Sequence, residues 1–413
     1  MVKTPKSLRL HIGLFGRRNV GKSSILNALV KQQVAIVSAQ AGTTTDPVEK
    51  VMELKPIGPV VFIDTAGVDD EGALGKARMD QTAKVLNRTE LAILVSDEWT
   101  VYESQLIALF KQKNIPFVLA ANKADLRKDR SLEDAAKTID VTFIATTNAP
   151  AGIGMDALRQ VIVEATPEEF ISEAPIIKDL VKPGEPVILV TPIDIEAPKG
   201  RLKMLQVHCM REILDAGGTA MVAKETELPM VLKRLNGHPD LMVTDSQVFN
   251  KCVSIAPPQV RMTTFSILMA RFKGRFDELS EGTQMIGSLR TGDKVLIAES
   301  CTHHPIGDDI GREQIPRLLS EYIGGPLDTE VTAGRDFPDD LSRYKLIIHC
   351  GACVLNRKEM LWRIEQAVMA HIPITNYGMA ITYLQGDYQR AMEPLVALCS
   401  KRGEEIEIAA QKT

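Results

Sequence analysis

Short β-rich apolar runs alternate with segments of helical periodicity over residues 1–167 of the chain. Segments such as SSILNALVKQ and DALRQVIVEA carry apolar residues at helical spacing. The predicted strands read LRLHIGLFG, VVFIDTAG, LAILVSD, IPFVLAANKAD and VTFIATTN. This alternation predicts βαβ units and an α/β domain with a mainly parallel sheet.

A proline-rich segment, TPEEFISEAPIIKDLVKPGEPVI, marks a boundary before two further α/β blocks. In the middle block, PVILVTPID and TAMVAKE predict strands around a helix that ends at Gly217, and SIAPPQVR predicts a turn before another helix. In the last block, KVLIAESCTHH and RYKLIIHCGACV predict strands that end in cysteine, followed by a helix, a strand and a helix. The predicted domains are 1–167, 168–268 and 269–413.

Length and composition are those of a multidomain globular protein. A chain of 413 residues is long enough for two or three domains. Its formal net charge of −4 argues against a large basic surface for nucleic acid. No apolar run approaches the roughly 20 residues of a membrane helix, and the N-terminus lacks the apolar core of a signal peptide. We therefore expect a cytoplasmic protein that binds neither nucleic acid nor membranes, with its six cysteines as thiols or metal ligands.

The stretch GRRNVGKS, residues 16–23, matches the phosphate-binding loop G-x-x-x-x-G-K-S between a predicted strand and a predicted helix. Its backbone N–H groups are expected to surround the phosphates. Lys22 would neutralise the β- and γ-phosphates, and the Ser23 hydroxyl would bind Mg²⁺. The residues predicted to bind nucleotide here are Gly16, Asn19, Val20, Gly21, Lys22, Ser23 and Ser24.

Two further motifs follow strands in the order that a GTP site requires. In DTAG, Asp64 can hold Mg²⁺ through water and the Gly67 N–H can meet the γ-phosphate. In NKAD, Asp125 can accept both N–H donors of a guanine edge, which adenine does not offer in that arrangement. The same motif contributes Asn122 and Lys123. These motifs predict GTP as the ligand.

At these motifs the chain resembles the GTPases of the Era and TrmE-like branch. The resemblance implies a switch I threonine in GTTTDP, Thr44, with Thr43 and Thr45 as alternatives, that ligates Mg²⁺. It also implies that Asn19 helps to hold an activating K⁺. Val68 stands where Ras-like enzymes carry a catalytic glutamine, so hydrolysis is expected to be slow and stimulated by K⁺.

The same resemblance implies that the stretch NAPAG contacts guanine through its backbone. Asn148 and Ala149 stand there in place of the usual Ser-Ala pair. Because the serine is missing, this motif is weaker than the other three.

Soft metal ligands are concentrated in the last block of the sequence. If the two cysteine-ending strands are parallel neighbours, their ends share one edge of the sheet. The residues alone leave three readings open: a structural zinc site, an iron–sulfur cluster on three cysteines, and a redox pair. The candidate ligands are Cys301, His303, His304, His349, Cys350 and Cys353, with Asp308 and Asp309 as further options; Cys209, Cys252 and Cys399 are expected in the core.

A TrmE-like GTPase followed by C-T-H and then H-C-x-x-C resembles the maturation GTPases of [FeFe]-hydrogenase, the HydF family. The resemblance covers essentially the whole chain. It implies a [4Fe-4S] cluster on Cys301, Cys350 and Cys353, with His303, His304 or His349 as a possible fourth ligand. It also implies a homodimer through the middle domain.

The function that this resemblance implies is a scaffold and carrier for a transient di-iron precursor. Its partners would be the apo-hydrogenase and two radical-SAM maturases. The competing hypothesis from the sequence is an RNA-acting GTPase, in tRNA modification or ribosome assembly, with a structural zinc site. The net negative charge and the absence of a cluster of consecutive basic residues weigh against that alternative.

Overall fold

The structure is a computed structural model that describes residues 5–31, 48–65, 82–127, 131–170, 175–192, 203–236, 238–300 and 309–402. The chain forms two compact units. One comprises Met1–Glu173 with Asn356–Glu359, and the other Ala174–Leu355 with Met360–Thr413. No helix in the described stretches is long and apolar enough to cross a bilayer.

The first unit is built on a six-stranded sheet with the order β2-β3-β1-β4-β5-β6. Every neighbouring pair is parallel except β2 with β3. The strands are β1 Leu10–Phe15, β2 Val48–Leu54, β3 Gly58–Asp64, β4 Leu91–Ser96, β5 Phe117–Ala121 and β6 Ile144–Thr146. The helices include α1 Lys22–Lys31, α2 Val101–Gln112, α3 Ser131–Thr138 and α4 Met155–Glu164.

This sheet is buried on both faces, which explains the continuous apolar runs of its strands. Successive side chains of a strand point to opposite faces, and β3 shows this directly. Val60 and Phe62 join one apolar cluster, whereas Val61 and Ile63 join the other. The prediction of an α/β domain with a mainly parallel sheet is confirmed.

The second unit contains two four-stranded sheets with the orders β10-β9-β7-β8 and β12-β11-β13-β14. All of their neighbouring strands pair in parallel. The strands are β7 Pro186–Val190, β8 Thr219–Ala223, β9 Leu241–Thr244, β10 Arg261–Thr264, β11 Lys294–Ala298, β12 Asp328–Thr332, β13 Leu346–His349 and β14 Ile374–Asn376.

Helices pack against both of these sheets, and one continuous apolar cluster joins side chains from the two. The helices include α5 Met204–Asp215, α6 Leu228–Arg234, α7 Phe249–Ile255, α8 Phe265–Lys273, α9 Phe276–Gln284, α10 Ile315–Ile323, α11 Arg357–Met369, α12 Tyr377–Leu384 and α13 Tyr388–Arg402. The predicted α/β character of the middle and last blocks is therefore confirmed.

Three strands of the second unit were not predicted from the sequence. The turn at SIAPPQVR leads into the short strand β10 before the helix begins at Phe265. The strand β9 has only four residues, and β12, DTEVT, is a partly exposed edge strand. Short or polar strands carry too little hydrophobic periodicity to be distinguished from loops.

Candidate functional site

The loop between β1 and α1 adopts a conformation that its sequence makes possible. The backbone has positive φ at Gly16, Asn19 and Gly21. A Cβ on Gly16 would lie 2.2 Å from the Val95 carbonyl oxygen, and one on Gly21 would lie 2.3 Å from Asn122 Nδ2. Glycine at these two positions therefore allows the loop to approach the neighbouring strand ends closely.

Lys22 and Ser23 begin α1 directly after this loop. Lys22 Nζ donates to the carbonyl oxygens of Gly16, at 2.9 Å, and Arg17, at 2.7 Å. These bonds hold the ammonium group against the loop, at the helix N-terminus where anions bind. The arrangement is the one that an incoming phosphate chain requires.

The Ser23 hydroxyl donates to Asp64 Oδ2 at 2.6 Å. The other carboxylate oxygen, Oδ1, is buried and has no hydrogen-bond partner among the described residues. A hydroxyl and a carboxylate with spare acceptor capacity form a donor set that suits Mg²⁺, which prefers oxygen ligands and retains water. The residues fit the ion that the motifs predict.

Asn122 connects the phosphate loop to the guanine-binding loops. It is 1% exposed. Its Nδ2 donates to the Val20 carbonyl at 2.9 Å, and its Oδ1 accepts from Thr147 Oγ1 at 3.0 Å and from the Ala149 N–H at 3.3 Å. Three loops thus meet at one buried amide, and Asp125 next to them is exposed.

Thr147 was not predicted as a site residue, although its neighbours Asn148 and Ala149 were. Its backbone N–H donates to the Ala121 carbonyl at 2.8 Å, so it continues the alignment of β6 with β5. The sequence signal that could have identified Thr147 is a hydroxyl residue at the end of a strand that leads directly into NAPAG. The missing serine of that motif does not prevent Ala149 from donating to Asn122.

Arg17, within the phosphate loop, was also missed. Its guanidinium donates to Asp97 at 3.0 Å, to Glu98 at 2.7 Å and to Glu103 at 3.1 Å. Asp97 also accepts from Lys123 of the NKAD motif at 2.7 Å. These ion pairs link the phosphate loop to the end of β4 and to the guanine-recognition motif.

We expect Thr147→Val to weaken GTP binding about 10-fold. The change is nearly isosteric but removes a donor from a buried amide oxygen, a loss of about 1–2 kcal/mol. The dissociation constant of a fluorescent GTP analogue measures it. Thr138→Val, which removes an exposed hydroxyl that bonds the Asp134 carbonyl at 3.0 Å, is the matched control. Equal affinity of both variants and the wild type would contradict this role for Thr147.

Several predicted residues of the nucleotide site lie outside the described residues. They are the switch I candidates Thr43, Thr44 and Thr45, together with Gly67 and Val68. Asn19 is described: it is exposed, and its backbone has the left-handed conformation with a φ of 60°.

The two cysteine-bearing strands β11 and β13 are parallel neighbours, which meets the condition set for a shared site. Their register pairs Ala298 with His349, and the Cys350 N–H donates to the Ala298 carbonyl at 2.9 Å. The two strands therefore end at one edge of the sheet. The Cys350 sulfur accepts from the backbone N–H of Ser300 and shares a hydrogen bond with the Ser300 hydroxyl, each at 3.1 Å.

Ser300 directly precedes Cys301 in the sequence, but residues 301–308 lie outside the described residues, and with them Cys301, His303, His304 and Asp308. Within the described part of the chain, no group of three or more His, Cys, Asp and Glu side chains forms a candidate metal site. In that part of the chain Cys350 is half-buried and Cys353 is exposed. Three cysteines at this edge would form a donor set that fits soft metals such as iron or zinc.

The pKa of the Cys353 thiol is raised, first by desolvation and then by the nearby Cys350, while Lys273 opposes the shift. The residue is exposed by its surface area, yet enough protein surrounds the sulfur to desolvate it. A metal that binds here must therefore displace a proton from Cys353.

His349 was a candidate fourth ligand, but its ring has no free nitrogen in this structure. Its Nδ1 donates to the Cys350 carbonyl at 2.7 Å, and its Nε2 accepts from Arg363 Nη1 at 3.1 Å. Complete burial, followed by the charge of Arg363, lowers the pKa of His349 to about 3. The geometry therefore disfavours His349 as a ligand and makes it a neutral support for Cys350.

Asp309, the other described candidate for a fourth ligand, caps the short helical turn that starts at Ile310. Its Oδ1 accepts from the N–H groups of Gly311, at 2.9 Å, and Arg312, at 2.8 Å. Cys209 and Cys252 are completely buried in the apolar core, as predicted, and burial raises the pKa of Cys252 to about 12. The side chain of Cys399, which was also predicted in the core, lies outside the described residues.

Comparison with known families identifies both parts of the chain. Residues 277–394 match the hydrogen maturase F tetramerization domain, and residues 176–274 match the hydrogen maturase F dimerization domain. The chain belongs to the hydrogen maturase F (HydF) family. In this HydF chain, residues 11–123 match the 50S ribosome-binding GTPase model, so a GTPase domain precedes the two domains named for self-association.

Curated relatives match the GTPase domain of this HydF chain. The tRNA modification GTPase MnmE of Prochlorococcus marinus (strain NATL1A) is 41% identical over 153 residues, which are 36% of this chain and 33% of that protein. GTPase Der of Campylobacter concisus (strain 13826) is 29% identical over 216 residues, which are 51% and 41% of the two chains. The chain thus spans less than half the length of these relatives.

Two solved structures are also similar. The G domain of the T. maritima FeoB iron transporter is 26% identical, with a TM-score of 0.30, over 38% of this chain and 98% of that one. Aquifex aeolicus Era bound to GDP and AlF4− is 21% identical, with a TM-score of 0.32, over 54% of this chain and 97% of that one.

Proposed function

We propose that this chain is a GTP-hydrolysing scaffold and carrier that assembles the di-iron subcluster precursor and delivers it to apo-[FeFe]-hydrogenase. The observation that carries the proposal is the occurrence of both hydrogen maturase F domains behind a GTPase domain. Soft ligands at one strand edge of the second unit support it further.

The proposed carrier site is a [4Fe-4S] cluster held by Cys301, Cys350 and Cys353. When bound, such a cluster supplies one iron without a cysteine ligand, which can take an external group. The protein's part is to orient the thiolates. The Ser300 N–H donates to the Cys350 sulfur, its hydroxyl shares a second hydrogen bond with that sulfur, and His349 Nδ1 donates to the Cys350 carbonyl. Donors of this kind fix ligand geometry and tune the metal.

In the proposed GTPase reaction, Lys22 neutralises phosphate charge while Ser23 and Asp64 position Mg²⁺. Asn122 aligns the base-binding loops with the phosphate loop, and Asn19 contributes to a K⁺ site that compensates for the missing catalytic glutamine. Hydrolysis is slow and serves as a switch. It acts on partner docking and release through a difference in partner affinity between nucleotide states.

The proposed partners are the apo-hydrogenase, the two radical-SAM maturases and a second copy of this chain, which would associate through residues 176–274. Anaerobic purification followed by iron and sulfide analysis and EPR tests the proposal. A brown protein with about four irons per chain and transfer of iron to the apo-hydrogenase is the expected result. A colourless protein with one zinc per chain and salt-sensitive RNA binding would overturn it in favour of an RNA-acting GTPase.

A further inference from the structure

Lys273 is a buried cation directly behind the segment that carries Cys350 and Cys353. It is the last residue of α8 and only 1% exposed. Its Nζ donates to the carbonyl oxygen of Ala352 at 2.9 Å and to that of Leu355 at 2.7 Å. One side chain therefore holds the backbone between and after the two cysteines.

The backbone of this segment has a conformation that needs such support. Ala352 has a φ of 51°, in the left-handed region that residues with a Cβ seldom occupy. It is also 2% exposed. Because Lys273 binds the carbonyl of Ala352 itself, it fixes the orientation of the strained peptide. Surrounding contacts of this kind are what allow such a conformation to persist.

Because Lys273 is buried, its electrostatic interactions with nearby groups are stronger than those of a surface lysine. A charge within the protein interior is screened much less than one in water. Lys273 lies at the C-terminus of α8, where the helix dipole places a negative partial charge that complements a cation. The ammonium group therefore stabilises negative charge on the nearby thiolates and on any anionic cluster that they hold.

We propose that Lys273 is a positioning residue of the metal site, which holds the Cys350–Cys353 loop in its ligating conformation and stabilises the anionic ligand set. The charge part of this inference rests on the proposed function, because it assumes a cluster on these cysteines. The loop part concerns the metal-free protein and can be tested without any cluster.

The test compares Lys273→Met, which keeps the length but removes the charge, with the wild type and with Lys345→Met. Lys345 is exposed and lies just before β13, at the end of that strand opposite to Cys350. We expect Lys273→Met to shift the cluster reduction potential, measured by EPR-monitored titration, to a more negative value. We also expect iron loss to a chelator to be about 10-fold faster or more, and amide exchange of residues 351–355 in the metal-free protein to accelerate. Lys345→Met should leave all three unchanged.

Unchanged potential and unchanged loop exchange in Lys273→Met would overturn the inference. If that variant does not fold, Lys273→Gln replaces it, since a neutral amide can still donate to one carbonyl; it should show the same shift in potential. If the wild type binds no iron, the proposed function fails, and loop exchange alone then decides whether Lys273 positions the loop.

Discussion

Cys353→Ala is expected to lose the iron–sulfur cluster and hydrogenase activation while GTP hydrolysis continues at the wild-type rate. Alanine has no ligand atom, and a site reduced from three thiolates to two cannot hold a cubane cluster. Cys353 is an exposed residue, so its removal leaves the packed core intact. The GTPase domain has its own sheet and its own apolar clusters, so its chemistry should not respond. Iron and sulfide content and EPR measure the cluster, phosphate release measures GTP hydrolysis, and activation of apo-hydrogenase measures the third quantity.

Cys252→Ala is the matched control for this experiment. Cys252 is completely buried and lies outside the H-C-x-x-C motif. The variant should lose about 1 kcal/mol of stability from the small cavity but retain its cluster. If Cys353→Ala still activates hydrogenase normally, the carrier role of this site is wrong.

Lys22→Ala is expected to reduce GTP hydrolysis at least about 100-fold and to leave the iron content unchanged. The lysine is the charge held against the phosphate loop by two carbonyls, and removing one charge-stabilising donor typically costs a factor of 10²–10³ in rate. The loss should appear in kcat as well as in GTP affinity, because phosphate charge redistributes in the transition state. Single-turnover phosphate release and iron analysis on the same preparation measure both effects.

Lys111→Ala controls for the loss of a positive charge from the same domain, because Lys111 is exposed on α2 and its Nζ donates to the Ile139 carbonyl at 3.2 Å. It should hydrolyse GTP normally. Simultaneous loss of hydrolysis and of cluster in Lys22→Ala would contradict the independence of the two sites.

The sequence predicted most of the GTPase domain because two signals coincided there. Its central strands are buried on both faces and read as apolar runs, and each functional motif follows a strand end. In the second unit, the same reasoning identified the strands that end at Cys350 and before Cys301, but their adjacency was only a condition that the register of Ala298 with His349 then met.

The contacts between distant loops could not be predicted. Thr147 and Arg17 act through partners that are 25 or about 80 positions away in the sequence, and no local pattern records such pairs. His349 shows the converse. Its place in H-C-x-x-C suggested a metal ligand, but Arg363, 14 residues later on α11, donates to its Nε2. Lys273 lies 79 residues before its first carbonyl partner and carries no motif at all.

The continuous apolar core of the second unit determines whether its fold depends on a metal at the proposed site. In small metal-dependent domains, binding of the metal provides the free energy of folding, so they unfold when the metal leaves. Here β11 and β13 are buried in a core shared by two sheets, to which the candidate ligands Cys350 and Cys353 do not belong. We therefore expect loss of a metal from these cysteines to perturb one loop, while the metal-free protein remains folded and able to bind metal again.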